Sequence, residues 1–580
     1  MVTYADRPWV KKYDQGVPES LKPYPKTPLH NFLTESAKKN PGSTALITNL
    51  HLPLFGRVDK NLTYAELDKQ SDALAAALVE KGLKKGDRVA LVLPNTAAFV
   101  IGFYAILKAG GVVAATNPTY PPEKLQYQIN DCGAEFVIAM SLFYNGVKKI
   151  QPKTKVKHVI VTNVKEYFPG VGQLLFTLAK EKKDGHRVET LAEGDFWLQD
   201  ILTQYAGRKP NVEIMPEDLA LFQYTGGTTG VSKAAMSTHS ALVANTLQMK
   251  AVLQPKANEI FLGAIPMFHV FGMVAVLSVA IHLGASIVLV PNARDMNDVI
   301  GAIDKYKPTL FHGVPALYNG INNHPDITSG KVSLQSIRLC VSGSAPLPPA
   351  TKREFERLSG GKLLEGFGMS EAPTATHVNP PRGENRTGSI GLPLPDMEMR
   401  IVDLDDGETD MPVGEVGELI MHGPQVMKGY HGMPTETANV LREKDGKVWL
   451  YTGDIARMDD DGYFYIVDRK KDMALIGGYN VYPAAVEKVL KEHPAVLEVG
   501  VAAVPHPEKA GQEALKAWIV LKPGQTVTEK ELIDHCAGHL ARYETPSRFA
   551  FINELPKSDV LKTLRRELIR MEMEERENQG

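Results

Sequence analysis

Cysteine is scarce in this chain, with three in 580 residues, at Cys132, Cys340 and Cys536. So few and so widely spaced, they exclude a disulfide framework and a cysteine metal cluster, and a reducing compartment is the simplest setting. Neither sign of charge is in excess. The 65 basic and 67 acidic side chains leave a net charge of −2, which provides no general attraction to nucleic acid. The opening stretch from Met1 to Gly16 carries charges and has no apolar centre, so it lacks the form of a secretory signal. With 43% hydrophobic and 23% charged residues the composition is that of a globular protein, and the length implies two or more domains.

One run lacks charge altogether. From Phe261 to Val290 there is no Asp, Glu, Lys or Arg, which is long enough to test as a membrane span. Pro266, His269, His282 and the glycines at 263, 272 and 284 interrupt it. A helix from Phe271 to Leu283, a turn at Gly284-Ala285 and a buried strand from Ser286 to Val290 account for the run without lipid.

The first half alternates short apolar strands with helices. Strands are expected at Arg88–Leu93, Val112–Ala115, Phe136–Ala139 and His158–Val161, and helices at Thr96–Lys108 and Pro121–Asp131. Buried, non-alternating strands of this kind imply an α/β fold with doubly wound sheets. After about residue 388 the texture becomes β-rich, with strands near Met399–Asp403 and Gly417–Met421 joined by Gly/Pro/Asp turns. The charged run Asp468-Arg469-Lys470-Lys471-Asp472 precedes a compact α+β tail. This predicts a large N-terminal domain, 1–468, with a β-rich subdomain at about 388–468, and a small mobile domain, 469–580. Residues 164–197 carry a segment, Leu174 to Lys183, whose apolar face ends in lysines. It fits a membrane surface, but the modest charge favours a surface helix packed on its own domain.

Chemistry is concentrated first in Tyr224-Thr225-Gly226-Gly227-Thr228-Thr229-Gly230-Val231-Ser232-Lys233. Glycines let backbone N–H groups approach an anion, hydroxyls add donors and lysine adds a positive charge, which together suit a polyphosphate. The spacing fails the Walker pattern, because Val231 and Ser232 separate the last glycine from Lys233. Five further segments accompany it. Pro266–Gly272 holds His269 in an apolar turn. Ser342–Leu347 is a loop with bare backbone after a strand. Glu365–Glu371 sets Phe367 between Gly366 and Gly368, then supplies Ser370 and Glu371. A flat ring beside exposed backbone suits a nucleobase, and a carboxylate near a phosphate site suits Mg²⁺. Tyr451–Asp454 offers a carboxylate for ribose hydroxyls, and Pro556–Lys562 places a lysine in the tail.

In this order the segments resemble the acyl-adenylate-forming superfamily, which includes acyl-CoA synthetases, from about Pro28 to Arg566. Gly226 in the loop, the following Ala235–His239, and Gly423-Pro424-Gln425-Val426-Met427-Lys428-Gly429-Tyr430 are similar to bacterial long-chain fatty-acid–CoA ligases. The resemblance implies ATP, Mg²⁺ and coenzyme A as reactants and cofactor, with a fatty acid as the other substrate. It implies that Thr225, Gly226, Gly227, Thr228, Thr229, Gly230 and Lys233 hold the β- and γ-phosphates. Ser344 and Ala345 with Gly366, Phe367 and Gly368 would frame adenine. Ser370 would touch the α-phosphate and Glu371 the Mg²⁺, while Asp454 and Arg469 hold the ribose. Lys562 would act on the carboxylate, Lys471 would be the hinge, Gly477 and Gly478 would border the pantetheine channel, and His269 would line the acyl entrance. The sequence departs from the common pattern at Leu561 (usually glycine), Ser232 (proline), Ala234 (glycine) and Ser370 (threonine).

The chemistry implied is attack of a carboxylate on the α-phosphate, then of the coenzyme A thiol on the acyl-adenylate. Positive charge at Lys562 and Mg²⁺ would offset the repulsion between the two anions in the first step. Other readings are a ligase that loads a carrier protein or takes a medium-chain or aryl acid, and a silent nucleotide- or lipid-binding protein on the same fold. The retained Lys233, Glu371, Asp454, Arg469 and Lys562 argue against the last. A cytoplasmic location without nucleic-acid partners is expected, and peripheral contact with the inner face of a membrane and a homodimer are both compatible with the chain.

Overall fold

A computed structural model describes residues 2–52, 56–225, 232–256, 258–476, 479–506, 512–557 and 563–579. It divides into two compact units. The larger comprises Trp9–Glu398 and His422–Leu450, and the smaller Met1–Pro8, Met399–Met421 and Tyr451–Gly580.

The larger unit is built on two sheets. One has seven strands in the order Phe196–Trp197, His158–Thr162, Phe136–Met140, Arg88–Val92, Val112–Ala115, Leu219–Thr225 and Lys233–Thr238. All neighbours in it are parallel except the last pair, which is antiparallel. Its strands are apolar on both faces, as the continuous runs Val-Ala-Leu-Val and Phe-Val-Ile-Ala-Met require of a covered parallel sheet. The helix Ala97–Lys108 is buried along its whole length, and its one charge, Lys108, is met by Asp68 at 2.6 Å and Asp72 at 2.7 Å. A lysine so enclosed needs both partners, since an unpaired buried ammonium is costly.

The second sheet sets Ile260–Gly263 beside Ser286–Leu289, Thr44–Leu52 and Gly56–Thr63. Leu310 bridges Phe261 on one side and Leu339 on the other, which carries the pairing on to Leu339–Ser342 and Lys362–Phe367. The charge-free run thus holds the expected helix, turn and strand, preceded by a further strand, Ile260–Gly263. The helix begins as a π-helix, Phe271–Ser278, and continues as an α-helix, Val279–Leu283, before Gly284 turns in the left-handed region at φ 70°. These apolar side chains are core, and no helix among the described residues is long and apolar enough to cross a membrane.

The strands Glu398–Val402, Gly417–His422 and Lys447–Met458, which lie for the most part in the smaller unit, follow one another in a sheet, with Phe464–Arg469 antiparallel to the last. The tail is a three-stranded sheet, Val496–Pro505, Glu513–Leu521 and Arg548–Phe551. The helices Pro483–Glu492 and Glu529–Ala537 pack on one face of it through Val486, Leu490 and Leu532. The helix Arg565–Gln579 adds Leu568 to a second cluster around Trp518. The α/β class and the β-rich texture past residue 388 agree with the sequence. The three cysteines are free and buried.

Candidate active site

In the larger unit the site begins where strands end. Leu339–Ser342 and Lys362–Phe367 run parallel with Ser342 beside Glu365. Ser344-Ala345 and Gly366-Phe367-Gly368 therefore leave neighbouring carboxyl ends, the edge at which open α/β sheets bind ligands. The backbone there is unusual. Ser344 has φ 70°, a strained choice for a residue with a side chain. A methyl group on Gly368 would lie 1.5 Å from the Thr374 carbonyl oxygen, so only glycine fits. Phe367 is half-buried, and its ring meets His377 edge-on at 5.9 Å.

His269 sits at the start of the π-helix, where its Nδ1 accepts from the Phe271 N–H at 3.3 Å. Asn95 fixes the turn before it, accepting from the Met267 N–H at 2.7 Å and donating to the Gly263 and Ile265 carbonyls. The Thr374 hydroxyl donates to the Val270 carbonyl at 2.6 Å, which ties the segment after Glu371 to the His269 turn.

The phosphate-loop sequence joins two antiparallel strands, with Thr225 paired to Lys233. The Ser232 hydroxyl donates to the Thr225 carbonyl at 2.8 Å, and the Tyr127 hydroxyl to the Ser232 carbonyl at 2.8 Å. Gly226, Gly227, Thr228, Thr229 and Gly230 lie outside the described residues. Lys233 is half-buried and its ammonium is paired with Glu436.

The segment 427–431 connects this lysine to the carboxylate. Tyr430 bridges to Ala235, and the Lys428 N–H donates to the Met236 carbonyl at 2.9 Å. The Met427 N–H donates to the Glu371 carbonyl at 2.8 Å. Tyr430 then serves both groups. Its hydroxyl donates to Glu371 Oε1 at 2.7 Å, and its ring lies 5.3 Å from the Lys233 ammonium. Burial, and then the Glu371 charge, push the Tyr430 phenol well above its usual range, so it remains a donor. Ser370, next to Glu371, is buried. Glu371 is a half-buried oxygen donor of the hard type that Mg²⁺ takes, and the Tyr430 hydroxyl orients it through Oε1.

The smaller unit holds Asp454 opposite Arg469 on adjacent strands. Arg469 Nε meets Asp454 Oδ1 at 3.1 Å. Asp454 is 2% exposed, yet its Oδ2 has no hydrogen-bond partner among the described residues. A buried carboxylate oxygen left in that state is costly and calls for a ligand donor. Lys471 is exposed in the turn that follows, and Gly477, Gly478 and Lys562 lie outside the described residues. Close by in the chain, Arg565 gathers Asp468 at 3.0 Å, Asp472 at 3.1 Å and Glu487 at 2.9 Å.

A family model described as AMP-binding enzyme matches residues 33–431, and one described as AMP-binding enzyme C-terminal domain matches 485–562. The chain belongs to the AMP-binding enzyme family. Within that family it is 40% identical over 573 residues to the long-chain-fatty-acid–CoA ligase of Bacillus subtilis (strain 168), covering 98% of this chain and 99% of that protein. It is 37% identical over 565 residues to the ligase of the same name from Escherichia coli O6:H1, covering 97% of both. Among solved structures, ATP-bound MatB from Rhodopseudomonas palustris superposes with a TM-score of 0.80 at 27% identity, over 94% of this chain and 99% of that one. The anthranilate CoA ligase AuaEII with anthranoyl-AMP gives 0.81 at 26% identity, over 94% and 96%.

Three contributors, Glu436, Asn95 and Tyr430, carry no signal of their role in the sequence. The pairing of Glu436 with Lys233 spans 203 positions, and nothing local in the sequence signals it.

Proposed function

We propose that this AMP-binding enzyme joins a long-chain fatty acid to coenzyme A, using ATP and releasing AMP and pyrophosphate through an acyl-adenylate. The observation that carries this reading is the end-to-end likeness to proteins named long-chain-fatty-acid–CoA ligases, with a charged group present for each role.

In this reading the Thr225–Lys233 loop and Lys233 hold the β- and γ-phosphates, and Ser344, Ala345, Gly366, Phe367 and Gly368 hold adenine. The orphan oxygen of Asp454 accepts a ribose hydroxyl beside Arg469. Ser370 donates to the α-phosphate. Glu371 would hold Mg²⁺, which when bound neutralises phosphate charge. Tyr430 keeps the Glu371 carboxylate aimed through its hydrogen bond. Lys562 supplies a positive charge to the attacking carboxylate and is not itself a nucleophile. We place the boundary of the mobile tail at residues 468/469, with Lys471 as hinge and Gly477-Gly478 passing the pantetheine arm, because the two half-reactions need different surroundings. His269 borders the acyl chain. A substrate of that length dissolves poorly in water, which favours a cytoplasmic protein in peripheral contact with the inner face of a membrane.

A chain-length series with coenzyme A in excess tests the substrate class. Palmitate and oleate are expected to turn over well ahead of octanoate and of 4-coumarate. Fastest turnover with the aryl acid, or transfer only to a phosphopantetheinylated carrier protein, would overturn it.

A further inference from the structure

Among the described large hydrophobic side chains, the three most exposed are Leu178 at 77%, Val171 at 67% and Leu174 at 60%. All three lie on one ten-residue helix, Gly170–Ala179, together with Leu175. Their spacing of three and four places them within about 100° of the helix circumference, a continuous stripe facing solvent. The opposite side of the helix is anchored. Gly172 and Phe176 are buried, and the Phe176 ring meets Phe168 at 5.5 Å and His186 at 5.6 Å, both edge-on. Lys165 reaches Thr177 Oγ1 at 3.2 Å and Glu181 at 2.7 Å. The apolar stripe is therefore not the inward face of a surface helix, because that face is already occupied. The packed-helix reading of this segment accounts for Phe176 but not for the leucines.

Charge at the end of the stripe selects the partner. Lys180, Lys182 and Lys183 are exposed, and none forms an ion pair among the described residues. The nearby Glu181 is buried and bound by Lys165 and Asn163, which leaves Asp184 as the exposed carboxylate of that turn. A second copy docked on this face offers the same three lysines and one exposed carboxylate, so it brings no excess of negative charge to meet them. A bilayer with anionic headgroups accepts the stripe and the lysines together.

We propose that the helix Gly170–Ala179 is the face by which this protein rests on an anionic lipid bilayer. The leucines and Val171 sink below the headgroups, and Lys180, Lys182 and Lys183 lie at headgroup level. The proposal rests on the peripheral-contact reading above and names its surface.

The test is flotation of the full chain with phosphatidylglycerol-containing vesicles and with pure phosphatidylcholine vesicles, at low and high salt. The wild type should float with the anionic vesicles, and more weakly with added salt. The double variant Leu174→Glu/Leu178→Glu should lose binding by tenfold or more while turning over octanoate in vesicle-free buffer like the wild type. Replacing the three lysines by glutamine should weaken anionic-vesicle binding by about a hundredfold at low salt, taking about 1 kcal/mol per lysine. If the wild type floats and the leucine variant floats equally, this helix is not the surface, although the peripheral reading stands. If the wild type floats on neither vesicle, both fail. A wild type that fails to float and elutes as a dimer, with the leucine variant monomeric, assigns the stripe to a second copy and overturns the proposal.

Discussion

The hydroxyl of Tyr430 donates to Glu371 Oε1 at 2.7 Å, and the same ring lies beside the Lys233 ammonium. One side chain thus orders a carboxylate suited to a metal and a lysine suited to a polyphosphate. Removing the hydroxyl in Tyr430→Phe should lower kcat by about tenfold or more, the worth of a hydrogen bond to a charged group, with a smaller change in KM for ATP. Glu371→Gln should lose far more, and should not be rescued by excess Mg²⁺. Magnesium titrations of both variants check this. A Tyr430→Phe protein with wild-type kcat would mean that Glu371 is oriented by something else.

Glu436 occupies Lys233 with a carboxylate before any phosphate does. An incoming polyphosphate must replace that partner. Glu436→Gln should therefore lower KM for ATP by about two- to fivefold, the range expected of a partly exposed ion pair. Lys233→Gln should raise it. Initial-rate kinetics over ATP concentration decide the matter, and weaker ATP binding in Glu436→Gln would show that the glutamate positions the lysine instead of competing for it.

The unpartnered oxygen of Asp454 predicts a specificity effect. Asp454→Asn should raise KM for ATP by about ten- to a hundredfold, since an acceptor to hydroxyls and the pairing with Arg469 are both weakened. The wild type should discriminate strongly against 2′,3′-dideoxy-ATP, and the variant hardly at all. Equal discrimination by both proteins would remove Asp454 from the ribose.

Acid should unfold the larger unit early. Burial lowers the His312 imidazole to about 4 and the His377 imidazole to about 3. Burial likewise lowers His239 to about 4, against a nearby Asp218 that favours its charge. These rings are neutral when folded, whereas unfolded histidines take a proton near pH 6.5. Their contribution is fully present above about pH 6.5 and is lost as the pH falls towards 4. Each histidine forfeits up to about 2 kcal/mol between pH 6.5 and about pH 5. Thermal unfolding followed at pH 7, 6 and 5 should show a falling midpoint, whereas a flat profile would contradict the burial of these rings.

Much of the fold was legible in the sequence because its strands are short, apolar and cut off by glycine or proline. Arg88–Val92, Val112–Ala115 and His158–Thr162 lie within a residue or two of expectation. The helix Phe271–Leu283 was legible as a helix, but its π-helical first part was not, since periodicity does not separate the two forms over eight residues. The site segments were legible through their glycines and hydroxyls. Their links were not. Tyr430 to Glu371, Glu436 to Lys233, Thr374 to Val270 and Asn95 to Met267 join positions far apart in the chain, and only the folded backbone brings them into contact. The solvent-facing side of Gly170–Ala179 was also hidden, because an apolar stripe reads alike whether it faces a core or water.

The account turns on an acyl-adenylate, and labelled oxygen tests it most directly. Palmitate carrying ¹⁸O in both carboxylate positions, incubated with the protein, ATP, Mg²⁺ and coenzyme A, should transfer one ¹⁸O to AMP and retain the other in the thioester carbonyl. The transferred atom is the one that bonds the α-phosphorus and then leaves with AMP when sulfur attacks the acyl carbon. Formation of ADP, with the label in orthophosphate and none in AMP, would contradict the account.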